Sequence, residues 1–346
     1  MSTPRARVTV AILNFDGRHL LDVAVPSVLA MDGIADARVL VIDNGSSDGS
    51  PEHVRSSWPT VEVLAIKDNV GVAAALNQAV AASTTEFVAL LNNDIELEPG
   101  WLSELLAELE RHPGAASASG KLLRFDDRSR IDAAGDVMLW SGVALNRGHG
   151  MPDDGSFDTP QAVFAACAGA ALYRRDAFER VGPFDESFFA YLEDIDWGVR
   201  AQLARLSSRY VPAAVGYHMG GATTRPRKGL YGRLQRRNAL LLVIKDYPRE
   251  ALVRHGWKVV VHHLLWLAAS ARDGMLADHL RAWGEVLVRL PAALRARSVV
   301  QRTRLAATEE LSVVIEESLP WKVSRPGRLL LELAPLRASR RAGARL

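Results

Sequence analysis

Three stretches of this sequence carry side chains with the types and spacing for chemistry. The first is Leu90-Leu91-Asn92-Asn93-Asp94, an apolar run ending in two amides and an acid. A carboxylate at such a place suits a hard divalent cation, which takes oxygen ligands and shares them with substrate phosphates. The same three polar residues also suit a plain turn after a strand. The second stretch is Glu193-Asp194-Ile195-Asp196-Trp197. On a helix, at about 100° per residue, Glu193, Asp196 and Arg200 share a face and Asp194 points elsewhere. Asp196 and Arg200 are then explained as an i,i+4 ion pair, and all three acids also suit the positive end of a helix dipole. Asp194 is left as a candidate general base for an attacking hydroxyl. The third stretch is Val215-Gly216-Tyr217-His218-Met219-Gly220-Gly221, where glycines around a histidine permit close approach of a ligand. A structural histidine is the plainer reading. Arg225, Arg227 and Lys228 follow, either as cations over a diphosphate or as a solvated basic loop.

Those residues need strands and helices to hold them. Short apolar runs at Val8 to Leu13, Ala37 to Ile42, Val61 to Ile66 and Phe87 to Leu91 alternate with helical spacing at Leu20 to Met31, Val72 to Ala82 and Trp101 to Arg111. Strands alternating with helices predict an α/β fold with a parallel sheet covered on both faces. Ligands bind such sheets at the carboxyl ends of the strands. Here those ends are Asn14-Phe15-Asp16, Asp43-Asn44-Gly45-Ser46, Asp68-Asn69-Val70-Gly71 and Asn92-Asn93-Asp94, all polar or acidic. After Leu122 the regularity gives way to a stretch rich in Gly, Asp and Pro from Ser141 to Gln161, of the kind that forms functional loops. Order returns at Ala165 to Tyr173, and beyond Lys228 the spacing is helical over Leu230 to Lys245, Trp257 to Ala271 and Leu276 to Leu290, with a stop at Pro291. The apolar run Val259 to Ala271 contains His262 and His263 and is too short to cross a bilayer, which makes it a core or interfacial helix.

The composition narrows the function classes. The 346 residues, nearly half of them apolar, suffice for a catalytic core and an appendage. A single cysteine, Cys167, rules out an intramolecular disulfide, and the N-terminus lacks a charged leader followed by a long apolar stretch; both read as cytoplasmic. The net charge of +2 hides a split: up to Thr224 there are 18 Lys and Arg against 30 Asp and Glu, a net of −12, and thereafter 24 against 10, a net of +14. An acidic first part fits a cation-dependent site, and a basic second part fits phosphates of a substrate or an anionic membrane surface. Nucleic acid is not expected as a partner, because no zinc-finger, homeodomain or RNA-recognition signature accompanies the arginines. An oxidoreductase is disfavoured by the first turn, Asn14-Phe15-Asp16-Gly17, which lacks the Gly-x-Gly-x-x-Gly spacing. A nucleotidyltransferase would need a glycine-rich basic loop after the first strand, and none is present.

The motifs also occur in a familiar order. Asn14-Phe15-Asp16-Gly17, Val41 to Ser50, Asn69-Val70-Gly71 with Asn77, Leu91 to Asp94, Gly182-Pro183-Phe184-Asp185-Glu186 and Glu193 to Trp197 resemble a family 2 glycosyltransferase over residues 7 to 245, of the branch containing rhamnosyltransferases and galactofuranosyltransferases. The resemblance implies a GT-A fold, a Rossmann-like mixed sheet with helices on both faces. Residues 1–245 would be the catalytic domain, split into a nucleotide-sugar half, 1–122, and an acceptor half, 123–245, with 246–346 a basic helical extension. It implies donor contacts from Asn14, Asp16, Asp43, Asn69, Gly71, Asn92, Asn93 and Arg225, a Mg²⁺ or Mn²⁺ ion on Asp94 with His218, and Asp194 as the base of an inverting displacement. Asn92 stands where the family's metal motif usually has its first Asp, which leaves metal affinity more dependent on donor phosphates. The implied donor is dTDP-rhamnose, with UDP-sugars next, and the acceptor a cell-surface glycan or lipid-linked hydroxyl. The extension, with Trp257, Trp266 and Trp283, would either lie on the membrane surface or stabilise a homodimer. A non-catalytic binding scaffold is the alternative, against which the presence of Asp94, Asp194 and His218 together argues.

Overall fold

The computed structural model describes residues 6–167, 169–220, 228–311 and 314–316. Arg225, with its neighbours from 221 to 227, lies outside them. The first half alternates as expected: β1 (Val8–Asn14), α1 (Arg18–Leu29), β2 (Ala37–Asn44), α2 (Ser50–Ser57), β3 (Glu62–Ile66), α3 (Val72–Ala82), β4 (Phe87–Asn92), β5 (Ile95–Leu97) and α4 (Trp101–Arg111). The second half is β6 (Ala115–Arg124), β7 (Ile131–Ala133), β8 (Asp136–Leu139), β9 (Ala144–Asn146), β10 (Gln161–Val163), β11 (Ala170–Arg174), α5 (Arg175–Val181), α6 (Glu193–Leu203) and β12 (Ser207–His218). The helices α7 (Lys228–Asp246), α8 (Arg249–Arg272) and α9 (Leu276–Thr303) follow.

The main sheet runs β10-β12-β6-β11-β4-β1-β2-β3, with β5 paired to β12 and β7 to β6. β1 is parallel to both β2 and β4, and β2 to β3. β11 then enters antiparallel between β4 and β6, which makes the sheet mixed where the strand-helix alternation alone predicts a parallel one. The chain winds outward from β1 through β3 and returns on the other side of β1 as β4, so the order reverses between β1 and β4. A crevice opens at the strand ends of such a reversal. Side-chain alternation feeds two cores. Val10, Ile12, Val39 and Val41 pack with α1 and α4, and Ala11, Leu13, Leu40 and Ile42 pack with α3, α5 and α6.

A third core joins the C-terminal helices to the rest, with Met138, Trp140, Ile195 and Val199 packed against Leu241, Leu242, Val259 and Val286. Here the sequence reading needs a correction. α9 does not stop at Pro291 but continues to Thr303. An internal proline costs about 3 kcal/mol. That cost is met by buried Val286 and Ala293 on either side, and by Arg297 and Gln301, which donate to the carbonyls of Ile244, Tyr247 and Asp246 at the end of α7.

The segment entering α6 holds three of the five non-glycine residues with positive φ among the described residues. Phe189, Tyr191 and Leu192 all have positive φ, at 64°, 70° and 65°. None is glycine, so each conformation costs energy that the surroundings must offset. The fully buried Asn238 of α7 donates its amide hydrogens to the carbonyls of Phe188, Ala190 and Tyr191 at 3.1, 2.9 and 2.7 Å. Arg237 donates to the carbonyls of Ser187 and Phe188. Lys245 pairs with Asp185 at 2.6 Å and with buried Asp196, which Arg200 also meets at 2.8 Å. Asn238→Ala removes the side-chain donor of the Ala190 and Tyr191 carbonyls and leaves Phe188 with Arg237 alone, and is expected to destabilise the fold by about 2–4 kcal/mol, measured as a shift in the urea midpoint.

Candidate active site

The crevice between β1 and β4 is a cleft of about 470 Å³ that extends from Asn69 and Gly71 past Asn92, Asn93 and Asp94 to Glu193, Asp194 and His218. Beneath its floor, Asn93 donates to Asn14 at 2.7 Å, and Asn14 donates to Asp43 at 3.0 Å and to the Ser46 hydroxyl at 3.2 Å. Asp43 accepts the Ser46 amide, and Asp16, at φ 46°, accepts the Ser47 amide at 2.7 Å. Asn14, Asp16 and Asp43 therefore brace the strand ends and are not among the side chains facing the cleft. Leu13, Phe15 and Asn44 line it instead. Gly17 is required by this bracing, since a Cβ there would lie 2.1 Å from the Asn93 amide nitrogen. Asn44 donates to Asn69 and to the Gly71 carbonyl and accepts the Val70 amide, which fixes the turn that carries Asn69 and Gly71.

Strand pairing brings Asp94 to His218. β5 runs antiparallel to the end of β12 with Ile95 opposite His218, and the Met219 amide donates to the Asp94 carbonyl. His218 Nε2 lies 3.4 Å from Asp94 Oδ1, and His218 Nδ1 lies 2.7 Å from Asp132 Oδ2. Burial favours a neutral imidazole, but the bonds to Asp132 and Asp94 prevail and push His218 up to about 10. Burial likewise opposes charge on Asp132, yet hydrogen bonding from His149 and His218 holds it well below the usual carboxylate range.

The donor set fits a divalent ion in part. Asp94 offers a carboxylate oxygen, and Asp132 orients His218 so that Nε2 faces it, the carboxylate-histidine arrangement common around metals. Among the described residues no three His, Cys, Asp or Glu side chains cluster as a metal site. Two protein ligands leave the other positions to water and phosphate oxygens, as Mg²⁺ commonly has them.

At the other end of the cleft, α6 presents its first turn. Asp196 turns inward to Arg200 and Lys245, as the helical spacing implies, while Glu193 and Asp194 face the cleft. Asp194 accepts the Ile195 amide at 2.8 Å. Two neighbouring carboxyls are kept from ionising. Asp136 is fully buried, pushed well up by burial and by Asp194, and its Oδ2 has no hydrogen-bond partner in the described residues. Glu193 is pushed up to about 8, by burial first and then by Asp194. The two ends meet at Gly71, where a Cβ would lie 2.5 Å from the Phe189 carbonyl oxygen and 2.6 Å from its ring. That carbonyl also accepts the first amides of α3, from Val72 and Ala73.

This arrangement, an amide-lined strand-end pocket leading to an acid-histidine pair and then to a carboxylate, has counterparts. The pattern of Glycosyl transferase family 2 matches residues 9–182. The chain belongs to that family. It is a glycosyltransferase of the GT-A fold that takes its sugar from a sugar-nucleotide donor. It is 30% identical over 239 residues to N-acetylglucosaminyl-diphospho-decaprenol L-rhamnosyltransferase of Mycobacterium tuberculosis, spanning 62% of this chain and 77% of that one. Its fold is similar to that of mannosyltransferase PcManGT from Pyrobaculum calidifontis, solved with GDP-Man and Mn²⁺, with a TM-score of 0.52 and 18% identity over 90% of this chain and 88% of that one. It is also similar to GalNAc-T7, solved with UDP, GalNAc and Mn²⁺, with a TM-score of 0.55 and 15% identity over 70% of this chain and 48%, about half, of that one. At such identities the likeness to the two structures is one of fold.

Three site residues of this glycosyltransferase were not singled out from the sequence. Asp132 and Asp136 lie in a stretch with little periodicity, and Asn44 was read only as part of a strand end. The signal for Asp132 is its fold partner His218, 86 residues away. Glu193 leads to a pH prediction. Folded Glu193 holds its proton up to about pH 8, whereas an unfolded glutamate loses it near about pH 4.3. Between those values the native state binds the extra proton, so stability falls as pH rises. Urea midpoints of the wild type should drop between pH 5 and pH 8, and Glu193→Gln should reduce that drop.

Proposed function

We propose that this glycosyltransferase inverts the anomeric centre in a single displacement, moving a sugar from a nucleotide diphosphate to a hydroxyl of a cell-surface glycan or lipid-linked acceptor at the inner face of the membrane. The observation that supports this most is the opening of the Asp94–His218 pair and Asp194 into one cleft at the strand-order reversal. A dTDP-rhamnose donor is favoured by the similarity to the rhamnosyltransferase, with UDP-sugars next. The catalytic domain would comprise residues 1–245, and 246–346 would be an extension.

In this reading Asn69, Gly71, Asn92 and Asn93 hold the nucleotide end of the donor. Asn14, Asp16 and Asp43 act by bracing the strand ends from which it is held, and Arg225 would approach the diphosphate. Asp94 and His218 would hold Mg²⁺ or Mn²⁺, which when bound offsets negative charge on the diphosphate leaving group. Asp132 keeps Nε2 of His218 directed at Asp94. Asp194 takes the proton of the acceptor hydroxyl as its oxygen attacks the anomeric carbon from the face opposite the diphosphate. The protonated carboxyls of Glu193 and Asp136 beside it are suited to donate hydrogen bonds to sugar oxygens.

A positioned base contributes about 10²- to 10⁴-fold to rate. Asp194→Asn should therefore lower kcat by about that factor while the donor still binds in calorimetry; a variant retaining a tenth of the wild-type rate would exclude the base role. Asp94→Ala should weaken UDP or dTDP binding in Mn²⁺ and abolish the difference between Mn²⁺ and EDTA titrations. Nucleotide binding of equal strength in wild type and Asp94→Ala would remove the metal assignment.

A further inference from the structure

The helix α8 is turned inside out. Its inward residues include His255, Lys258, His262, His263 and Ser270, all buried. Its outward residues Val253, Trp257, Val260 and Leu264 are between 51 and 80% exposed. Both sets follow helical spacing: Ala251, His255, Lys258 and His262 step by 4, 3 and 4, and so do Val253, Trp257, Val260 and Leu264. The two ladders are offset by two residues, about 200°, and so occupy opposite faces. The inward polar groups have local companions, since His255 stacks on Trp140 at 4.2 Å, His262 meets the Trp266 ring edge-on, and Ser270 bonds to His279 of α9. From His255 to Ala271 the only charged residue is the buried Lys258, so beyond the exposed Arg254 the outward face is free of charge over about 24 Å.

The next helix, α9, adds to this surface. Leu276, Leu280, Leu287 and Leu294 face outward while Ala282, Val286 and Ala293 face inward. Eleven of the twelve large apolar side chains exposed among the described residues fall between Val253 and Leu305, so they form a concentrated feature, not the scatter that any surface carries. No helix among the described residues is long and apolar enough to cross a membrane. Among the described residues the exposed Arg254, Arg295 and Arg302 form no ion pair with a carboxylate, and α7, α8 and α9 carry 14 Lys and Arg against 4 Asp and Glu. A second copy docked on this face would bring two cationic bodies together, whereas an anionic lipid surface offers both the apolar phase and the opposite charge.

We propose that the outward faces of α8 and α9 seat this protein on an anionic lipid surface, with Trp257, Val260, Leu264 and the α9 leucines in the acyl boundary and the unpaired arginines among the headgroups. α7 packs along α9 and contributes Gln235 to the cleft, so the docked helices carry one wall of the active site. The benefit to catalysis, a cleft held beside a lipid-linked acceptor, rests on the function proposed above; the surface itself does not.

The test is flotation of the full-length protein with vesicles of phosphatidylcholine alone and of phosphatidylcholine mixed with phosphatidylglycerol. Wild type should float with the anionic vesicles, and less so in high salt. Trp257→Ser/Val260→Ser/Leu264→Ser should reduce partitioning by about tenfold or more, with Mn²⁺-dependent nucleotide binding unchanged. Leu287→Ser/Leu294→Ser on α9 repeats the test should the first variant fold poorly. Wild type that floats with neither vesicle, or folded variants that float as well as wild type, would overturn the inference. So would a wild-type dimer in ultracentrifugation that the triple variant splits, since the occupant would then be a second copy. Nucleotide binding measured on the same samples reports on the transferase reading separately: flotation without nucleotide binding would overturn that reading and leave the lipid surface standing.

Discussion

The Asn238 amide against the carbonyls of Phe188, Ala190 and Tyr191 is the contact on which the catalytic arrangement depends. Three positive-φ residues within four positions, none of them glycine, would relax if left to themselves. They are held because α7 supplies, in two adjacent residues, donors for four of the carbonyls that the segment turns away from regular structure. The segment aims two groups at once. Its Phe189 carbonyl closes on the start of α3 behind Gly71, and its far end starts α6 so that Glu193 and Asp194 point into the cleft while Asp196 points away. Without α7 the donor pocket would lose its neighbour and the carboxylate its direction.

Charge is distributed to match. Asp196 is fully buried, and such a group is tolerable only when paired. Lys245 and Arg200 both meet it, and burial notwithstanding they bring it down to about 2. Those cations are withheld from Glu193 and Asp136, which stay protonated. Carboxyls from α6 and β8 are thereby sorted into a structural anion, Asp196, and neutral hydrogen-bond donors, Glu193 and Asp136, around Asp194. At the other end of the cleft His218 is held in place between Asp132 and Asp94.

The C-terminal helices serve two neighbourhoods. One side of α7 is committed to the catalytic segment, and the third core ties α7 to α9 and β8. The polar ladder of α8 is buried inward, where His255 stacks on Trp140 and Ser270 bonds to His279 of α9, and the apolar ladder lies outside. Among the described residues, α7 thus completes the site, and α8 and α9 present the exposed apolar surface.

Much of this was legible along the chain. Strand and helix alternation from Val8 to Arg111, the polar strand ends, the separation of Asp194 from Asp196 and Arg200, and the acid-histidine candidates all follow from local periodicity, because covalent geometry makes the spacing of side chains a property of the sequence. What periodicity cannot contain is which distant segments meet. It put Asn14 and Asp43 at strand ends, yet only the packed strands show Asn14 bonded to Asp43, Ser46 and Asn93. It stopped a helix at Pro291, because the carbonyls that Arg297 and Gln301 cap belong to α7. It was silent on Asp132, whose partner His218 comes from another strand. An amphipathic helix has two faces in its sequence, and hydrophobicity alone would turn Val253, Trp257 and Val260 of α8 inward; the tertiary structure leaves them outside and buries His255, Lys258, His262 and His263, because which face meets the rest of the chain is decided by packing against distant segments such as Trp140.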